Sequence, residues 1–122
     1  MIRLADAYLI RAGARLRQTN NSGAADDINL IRTRGAWVGK EAEMQITAAV
    51  LDLNMILNER ARELVGEGHR WYDLTRTGTL VDRVKEYNSD AKDNIQSHHV
   101  VRPIPLSQID RTQGGHTQNP GY

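Results

Sequence analysis

The chain has 122 residues, 39% of them hydrophobic and none of them Phe or Cys, with 16 Lys and Arg against 15 Asp and Glu. A formal net charge of +1 excludes an overall field steering it to nucleic acid or an anionic membrane, and the length fits one domain or one piece of a larger one. Without cysteine there is no thiolate nucleophile, disulfide framework or thiolate zinc site.

The N-terminal run MIRLADAYLIRAGARLRQ is interrupted by Arg3, Arg11, Arg15 and Arg17, so it reads as neither signal peptide nor membrane span. If the mature protein is exported, its signal is expected outside this chain. Ala5, Tyr8, Leu9, Ala12 and Leu16 instead have the spacing of one helical stripe. After the turn cluster 19–23, Ser22 is expected to cap a second helix with Asp26 and Asp27 near its positive end. Ala24, Ile28 and Ile31 mark its buried side, Arg32 and Arg34 fall in its last turn, and Gly35 follows as the stop. The two helices make a short-loop antiparallel hairpin over 1–35.

Residues 35–45 read as loop, with Trp37 the large apolar group available to anchor it. A long third helix is predicted from Thr47 as N-cap, with Ile46 and Leu51 as hydrophobic staple, and with Val50, Leu53, Leu57, Ala61 and Leu64 as its stripe. Along it Glu59, Glu63 and Glu67 recur every fourth residue and share a face. Like charges so placed repel, and Arg60, Arg62, Arg70 and Arg76 are the candidates to neutralise them. Gly66 and Gly68 break the helix before a short turn carrying Trp71 and Tyr72, whose rings are expected to be buried. Leu80, Val81, Val84 and Tyr87 then mark a further helix that ends near Asn88, completing the helical region 46–88. Residues 88–99 are polar and aperiodic. Pro103 and Pro105 force 100–105 to be extended, Ser107 is expected to cap one more helical turn, and the tail from Gly114 to Tyr122 has no core of its own. The fold class is therefore all-α: a helical hairpin, a long helix, a short docked helix and an irregular tail over 89–122, the hairpin by itself being too little to establish a repeat.

Chemistry finds little purchase in these residues. Glu59, Glu63, Glu67 and His69 could be read as a carboxylate-histidine metal face, but no second ligating helix or E-x-x-H pair accompanies them. His98, His99 and His116 lie in loop-like stretches without ligands at metal spacing. Arg3, Arg11 and Arg15 share a broad face that Asp6 interrupts, without the aromatic partners of a nucleic-acid stripe. No catalytic, cofactor or metal residue is assigned, and no cofactor and no nucleic-acid partner is expected.

Taken together, YLIRAGARLRQ, INLIRTRG, ILNERARELVGEGHRWYDLTRTG, RPIPLSQID and the terminal QNPGY resemble the C-terminal part of the SusD/RagB family of outer-membrane nutrient-binding lipoproteins. Gly13 departs from the pattern, standing where that family usually has an acidic residue. The resemblance implies a structural signature of Glu59, Arg60, Glu63, Glu67, Gly68, Arg70, Trp71, Asp73, Arg76, Pro103, Pro105, Asn119, Pro120, Gly121 and Tyr122. It also implies a helical fold built on tetratricopeptide-like hairpins, and that residues 1–122 are one C-terminal piece of a longer, non-catalytic protein that binds glycans or other nutrients at the cell surface and caps a TonB-dependent, SusC-like transporter. Ligand-contacting aromatics are then expected mainly upstream, no ligand-binding residue is assigned here, and a separate fragment is expected to self-associate through uncovered apolar faces. The other reading is a self-standing helical-repeat module that binds a peptide or protein in its hairpin groove.

Overall fold

The computed structural model describes residues 3–112 and 115–122, all of them helix, turn or irregular chain with no strand. Its α-helices are α1 (Leu4–Arg17), α2 (Asn21–Gly35), α3 (Glu41–Met44), α4 (Leu53–Glu63), α5 (Arg70–Arg76), α6 (Leu80–Tyr87) and α7 (Leu106–Arg111), with 3-10 turns at Ala48–Val50 and Ser97–Val100. Contacts divide the chain into two compact units, Met1–Arg70 and Trp71–Tyr122.

In the first unit α1 and α2 form the expected tetratricopeptide-like hairpin. Leu9, Ala12, Ala24, Ala25, Ile28 and Ile31 are buried along its inner side and belong to the same cluster as Leu51, Ile56 and Leu64. Three alanines at this seam add no bulk beyond Cβ, which lets the two helices pack closely. The cap of α2 is Asn20 rather than Ser22: its side-chain oxygen accepts the Gly23 N–H at 3.0 Å. Helix α2 therefore starts one residue before Ser22. That start also takes Asp27 out of the first turn and turns it inward, where it is 1% exposed. Gly35 closes α2 as a helical residue, and Ala36 leaves in an extended conformation, so the left-handed glycine stop is absent there.

The segment after α2 is not anchored by Trp37. Its indole is 84% exposed, and the chain is fixed instead by α3 and by Asn29, which grips Ile46: the Ile46 N–H donates to Asn29 Oδ1 at 2.8 Å and Asn29 Nδ2 donates to the Ile46 carbonyl at 2.9 Å. Thr47 leads into the short 3-10 turn and Val50 is exposed, so the long helix and its staple are not formed from Thr47. Helix α4 starts at Leu53, where Asp52 accepts the Met55 N–H at 2.6 Å, a cap of the kind whose loss costs about 1 kcal/mol. Leu57 and Ile56 are buried on α4. It stops at Leu64, and Gly66 and Gly68 follow with φ of 77° and 76°, two left-handed positions in close succession that a side chain would strain.

In the second unit α5 and α6 bury Leu74 and Leu80, and beyond Arg83 no described residue is buried. Tyr72 and Tyr87 are exposed rather than packed, at 63% and 66%, while Trp71 is half-buried under the Arg102 guanidinium, 5.4 Å from its ring centre. The cap of α7 is Pro105, and Ser107 lies inside the helix. This is the proline rule at work: with φ fixed and no N–H, Pro105 is suited to the edge of a helix start. The predicted start of the tail at Gly114 lies outside the described residues. From Gln118 onward the tail is tied to the extended strand-like stretch before α7. The Ile104 N–H donates to Gln118 Oε1 at 2.7 Å, Gln118 Nε2 donates to the Ile104 carbonyl at 2.9 Å, Asn119 Nδ2 to the Arg102 carbonyl at 2.7 Å, and the Tyr122 hydroxyl to the Val101 carbonyl at 2.8 Å.

Candidate functional site

The densest chemistry is an arginine–carboxylate network on the face that α4 turns to the hairpin. Glu59, at 8% side-chain exposure, accepts from Arg32 at 2.8 Å and from Arg62 at 2.6 Å. Glu63 accepts from Arg34 through both oxygens, at 2.6 and 2.7 Å, and from Arg3 at 3.1 Å. Arg3 also donates to the Glu63 carbonyl at 2.7 Å and pairs with Glu67 at 2.6 Å. The neutralising charges thus come from α2 and from the residue before α1 as well as from Arg62. Arg60 reaches Asp6 at 2.8 Å with both groups buried, Arg70 donates to the Leu57 carbonyl at 2.8 Å, and Arg76 holds Asp73 at 2.9 Å. Arg62–Glu59 and Arg76–Asp73 are pairs within one helix, whereas Arg32, Arg34 and Arg3 come to Glu59, Glu63 and Glu67 from α2 and from the residue before α1, something the spacing within the 57–78 run could not reveal.

Arg11 and Arg15, proposed above as part of a basic stripe, both turn to Asp27, at 2.6 and 2.9 Å. With Arg3 committed to Glu63 and Glu67, the three guanidiniums of that stripe are held by carboxylates. The hydrogen bond that Arg3 donates to Glu67 raises Arg3 above the ordinary guanidinium value, against the opposing cost of desolvation, and its bond to Asp27 does the same for Arg11. Both guanidiniums are charged near neutral pH. Near neutral pH these ion pairs act as fixed ties, and planar guanidinium forks suit that use better than ammonium groups do.

Among the described residues no group of three or more His, Asp or Glu is placed to hold a metal ion. His69 lies 4.0 Å from Glu67. His98 and His99 meet with ring centres 4.1 Å apart and planes tilted by 45°, and Tyr122 meets His98 edge-on at 5.0 Å. His99 Nδ1 accepts the Gln96 N–H at 2.9 Å. Gly121, at φ 99°, lies so close to the His98 ring that a Cβ there would overlap it. This contact gives the glycine of QNPGY a steric reason, visible only once the tail is folded back.

Among the described residues, open cavities indent the first unit. One is an apolar groove of about 180 Å³ lined by Leu4, Ala5, Tyr8, Leu30, Ile31 and Arg34. A second, about 400 Å³, has Asp26, Asn29, Thr33 and Gln45 in its walls. A third, about 380 Å³, is bounded by the arginine–carboxylate network itself. No sequence signal marked any of them, since each is closed by residues from more than one segment.

The chain belongs to the SusD family, whose model matches residues 1–122. It is 37% identical over 112 residues to SusD-like protein P25 of Formosa agariphila, covering 89% of this chain and 21% of that protein. It is 33% identical over 128 residues to the starch-binding protein SusD of Bacteroides thetaiotaomicron, covering 100% of this chain and 21% of that protein. A further relative, SusD-like protein P38 of Formosa agariphila, is 29% identical over 105 residues, or 78% of this chain and 20% of its own. The chain thus spans about a fifth of the length of the curated relatives it matches. No solved structure matches it. Among the described residues no helix is long and apolar enough to cross a membrane.

Proposed function

We propose that this chain is the framework of a non-catalytic, glycan-binding nutrient receptor, the C-terminal part of a longer SusD-like domain. The observation that carries this reading is the family match along all 122 residues, together with 33% identity to a protein named for starch binding. The geometry supports a framework role, because the acids of the 57–78 run are bonded to arginines that hold helices together. On this reading Glu59, Arg60, Glu63, Glu67, Arg70, Asp73 and Arg76 fix helix positions. Gly68 breaks the chain, and the Pro103, Pro105 and Asn119 to Tyr122 segments close the tail. The complete polypeptide is an outer-membrane lipoprotein at the cell surface, and it passes its ligand to a TonB-dependent transporter of the SusC kind.

A glycan array probed with the complete polypeptide and with the 122-residue chain tests the proposal. The complete polypeptide is expected to retain at least one polysaccharide class, and this chain to bind it far more weakly. Failure of the complete polypeptide to bind any glycan would overturn the receptor reading. Affinity purification from the native membrane is expected to bring down a TonB-dependent transporter, and its absence would remove that partner.

A further inference from the structure

The 3-10 turn Ser97–Val100 is built around a histidine that must be unprotonated at one atom. The Gln96 N–H donates to His99 Nδ1 at 2.9 Å, and the His99 N–H returns to the Gln96 carbonyl at 3.1 Å. His99 thus stands where a capping box places a Glu or Gln side chain. An imidazole nitrogen accepts a hydrogen bond only while it carries no proton. In the closed turn the ring proton of His99 is therefore on Nε2, and a second proton, which would go to Nδ1, breaks the bond to Gln96.

His98 gives the turn a second reason to exclude protons. Its ring centre is 4.1 Å from that of His99, so two imidazoliums there repel each other. Tyr122 meets the two rings at 5.0 and 6.0 Å, its plane steeply inclined to both, and a single phenol ring offsets one such cation rather than two. Helix α6 packs on the turn and carries Asp82, Arg83, Lys85 and Glu86. Among the described residues no carboxylate, the terminal one of Tyr122 included, is ion-paired with either imidazole. Both rings are half-buried, within reach of protons from solvent.

The tail is fastened to this turn. The Val101 N–H donates to the His98 carbonyl at 3.2 Å, the Val101 carbonyl accepts the Tyr122 hydroxyl at 2.8 Å, and Gly121 lies against the His98 ring. Unwinding the turn moves the acceptor of the Tyr122 hydroxyl and the ring on which Gly121 rests. We infer that His98, His99 and Tyr122 form a pH-sensitive latch: it is closed while both imidazoles are neutral, and it releases residues 118–122 on acidification through the range in which histidines titrate, about pH 5–8. The sign follows from proton binding. The open form takes up protons that the closed form excludes, so closure is fully stable above that range and weakens as pH falls through it. This goes beyond the framework role proposed above and does not depend on the glycan-binding reading.

Amide hydrogen exchange of the 122-residue chain at pH 8 and pH 5, corrected for the intrinsic pH dependence of exchange, tests the latch. Gln96 reports on the turn, Ile104, whose N–H is held by Gln118 Oε1, on the tail, and Leu57 on the core of the first unit. The opening constants of Gln96 and Ile104 are expected to rise together by about thirtyfold from pH 8 to pH 5, the factor for an imidazole that is free to titrate only in the open form, while that of Leu57 stays constant. His99→Gln restores the usual capping-box residue, which accepts the same N–H and gains no proton, and its rise is expected to stay under about threefold. His99→Asn, with an acceptor on a shorter arm, is the second variant should His99→Gln leave Gln96 unprotected at pH 8. No rise at Gln96 or at Ile104, a rise that Leu57 shares, or an equal rise in the variant that keeps Gln96 protected overturns the latch.

Discussion

Residues 3–70 and residues 71–122 reach their folds by different means. In the first, one hydrophobic cluster runs through α1, α2 and α4, and charges such as Asp6, Asp27, Glu59 and Arg60 are buried against it in pairs. In the second, burial ends at Arg83, and the chain beyond it is held by polar side chains bonded to backbone groups. One device appears in both: Asn29 grips Ile46, and Gln118 grips Ile104, each through a carboxamide that donates to and accepts from the same residue. In the first unit it pins a loop onto a packed core. In the second it substitutes for one. The comparison teaches where stability resides: a side-chain amide can set the path of a segment, but a net gain of about 1 kcal/mol per hydrogen bond does not replace a buried cluster.

The comparison can be broken most severely at the buried ion pair. Arg60→Ala leaves Asp6 charged and enclosed, and is expected to destabilise the first unit by about 3–5 kcal/mol in urea unfolding; a loss below that of an exposed pair would remove the pair from the structural account. Leu57→Ala, which opens a cavity at a fully buried site, is expected to cost about 2–5 kcal/mol, and calorimetry checks it. For the second unit the effects are local. Gln118→Ala removes both bonds to Ile104 and is expected to cost about 1–3 kcal/mol, seen as faster limited proteolysis between residues 112 and 122 with unchanged melting of the first unit. The smallest effect has the opposite sign. At Gly13, inside α1, an added Cβ meets nothing within 4 Å, so Gly13→Ala is expected to stabilise by about 0.5–1 kcal/mol. A decrease in melting temperature would show that the helix tolerates no side chain there.

The same contrast explains how much could be read from sequence. Helices α1 and α2, the break at Gly66 and Gly68, the restart at Trp71, and α6 are periodic or punctuated over short spans, and local physics dictates them. The structure departs from the expectation where a neighbouring residue or a distant contact takes the place of the expected one. Ser22 and Thr47 satisfy the chemistry of an N-cap, but Asn20 and Asp52 hold the positions from which their side chains reach the open N–H groups. Trp37 was expected to anchor its loop because indoles usually bury, yet Asn29 performs that task and leaves the ring outside. Fourfold spacing made Glu59 and Glu63 of α4 and Glu67 just beyond it visible as a stripe, whereas their partners Arg3, Arg32 and Arg34 lie 27 to 64 residues away. The cavity beside them is a product of that pairing, which is why no motif announces it.

Native-state hydrogen exchange on the 122-residue chain tests the division between a packed unit and a tied one most directly. The account predicts that amides of Ile28, Ile56 and Leu57 exchange only through the largest openings of the protein, with a common free energy that falls in Arg60→Ala, while Ile104 and Asn119 exchange through smaller openings that Arg60→Ala leaves unchanged. Equal protection of all five amides, falling together in Arg60→Ala, would contradict it.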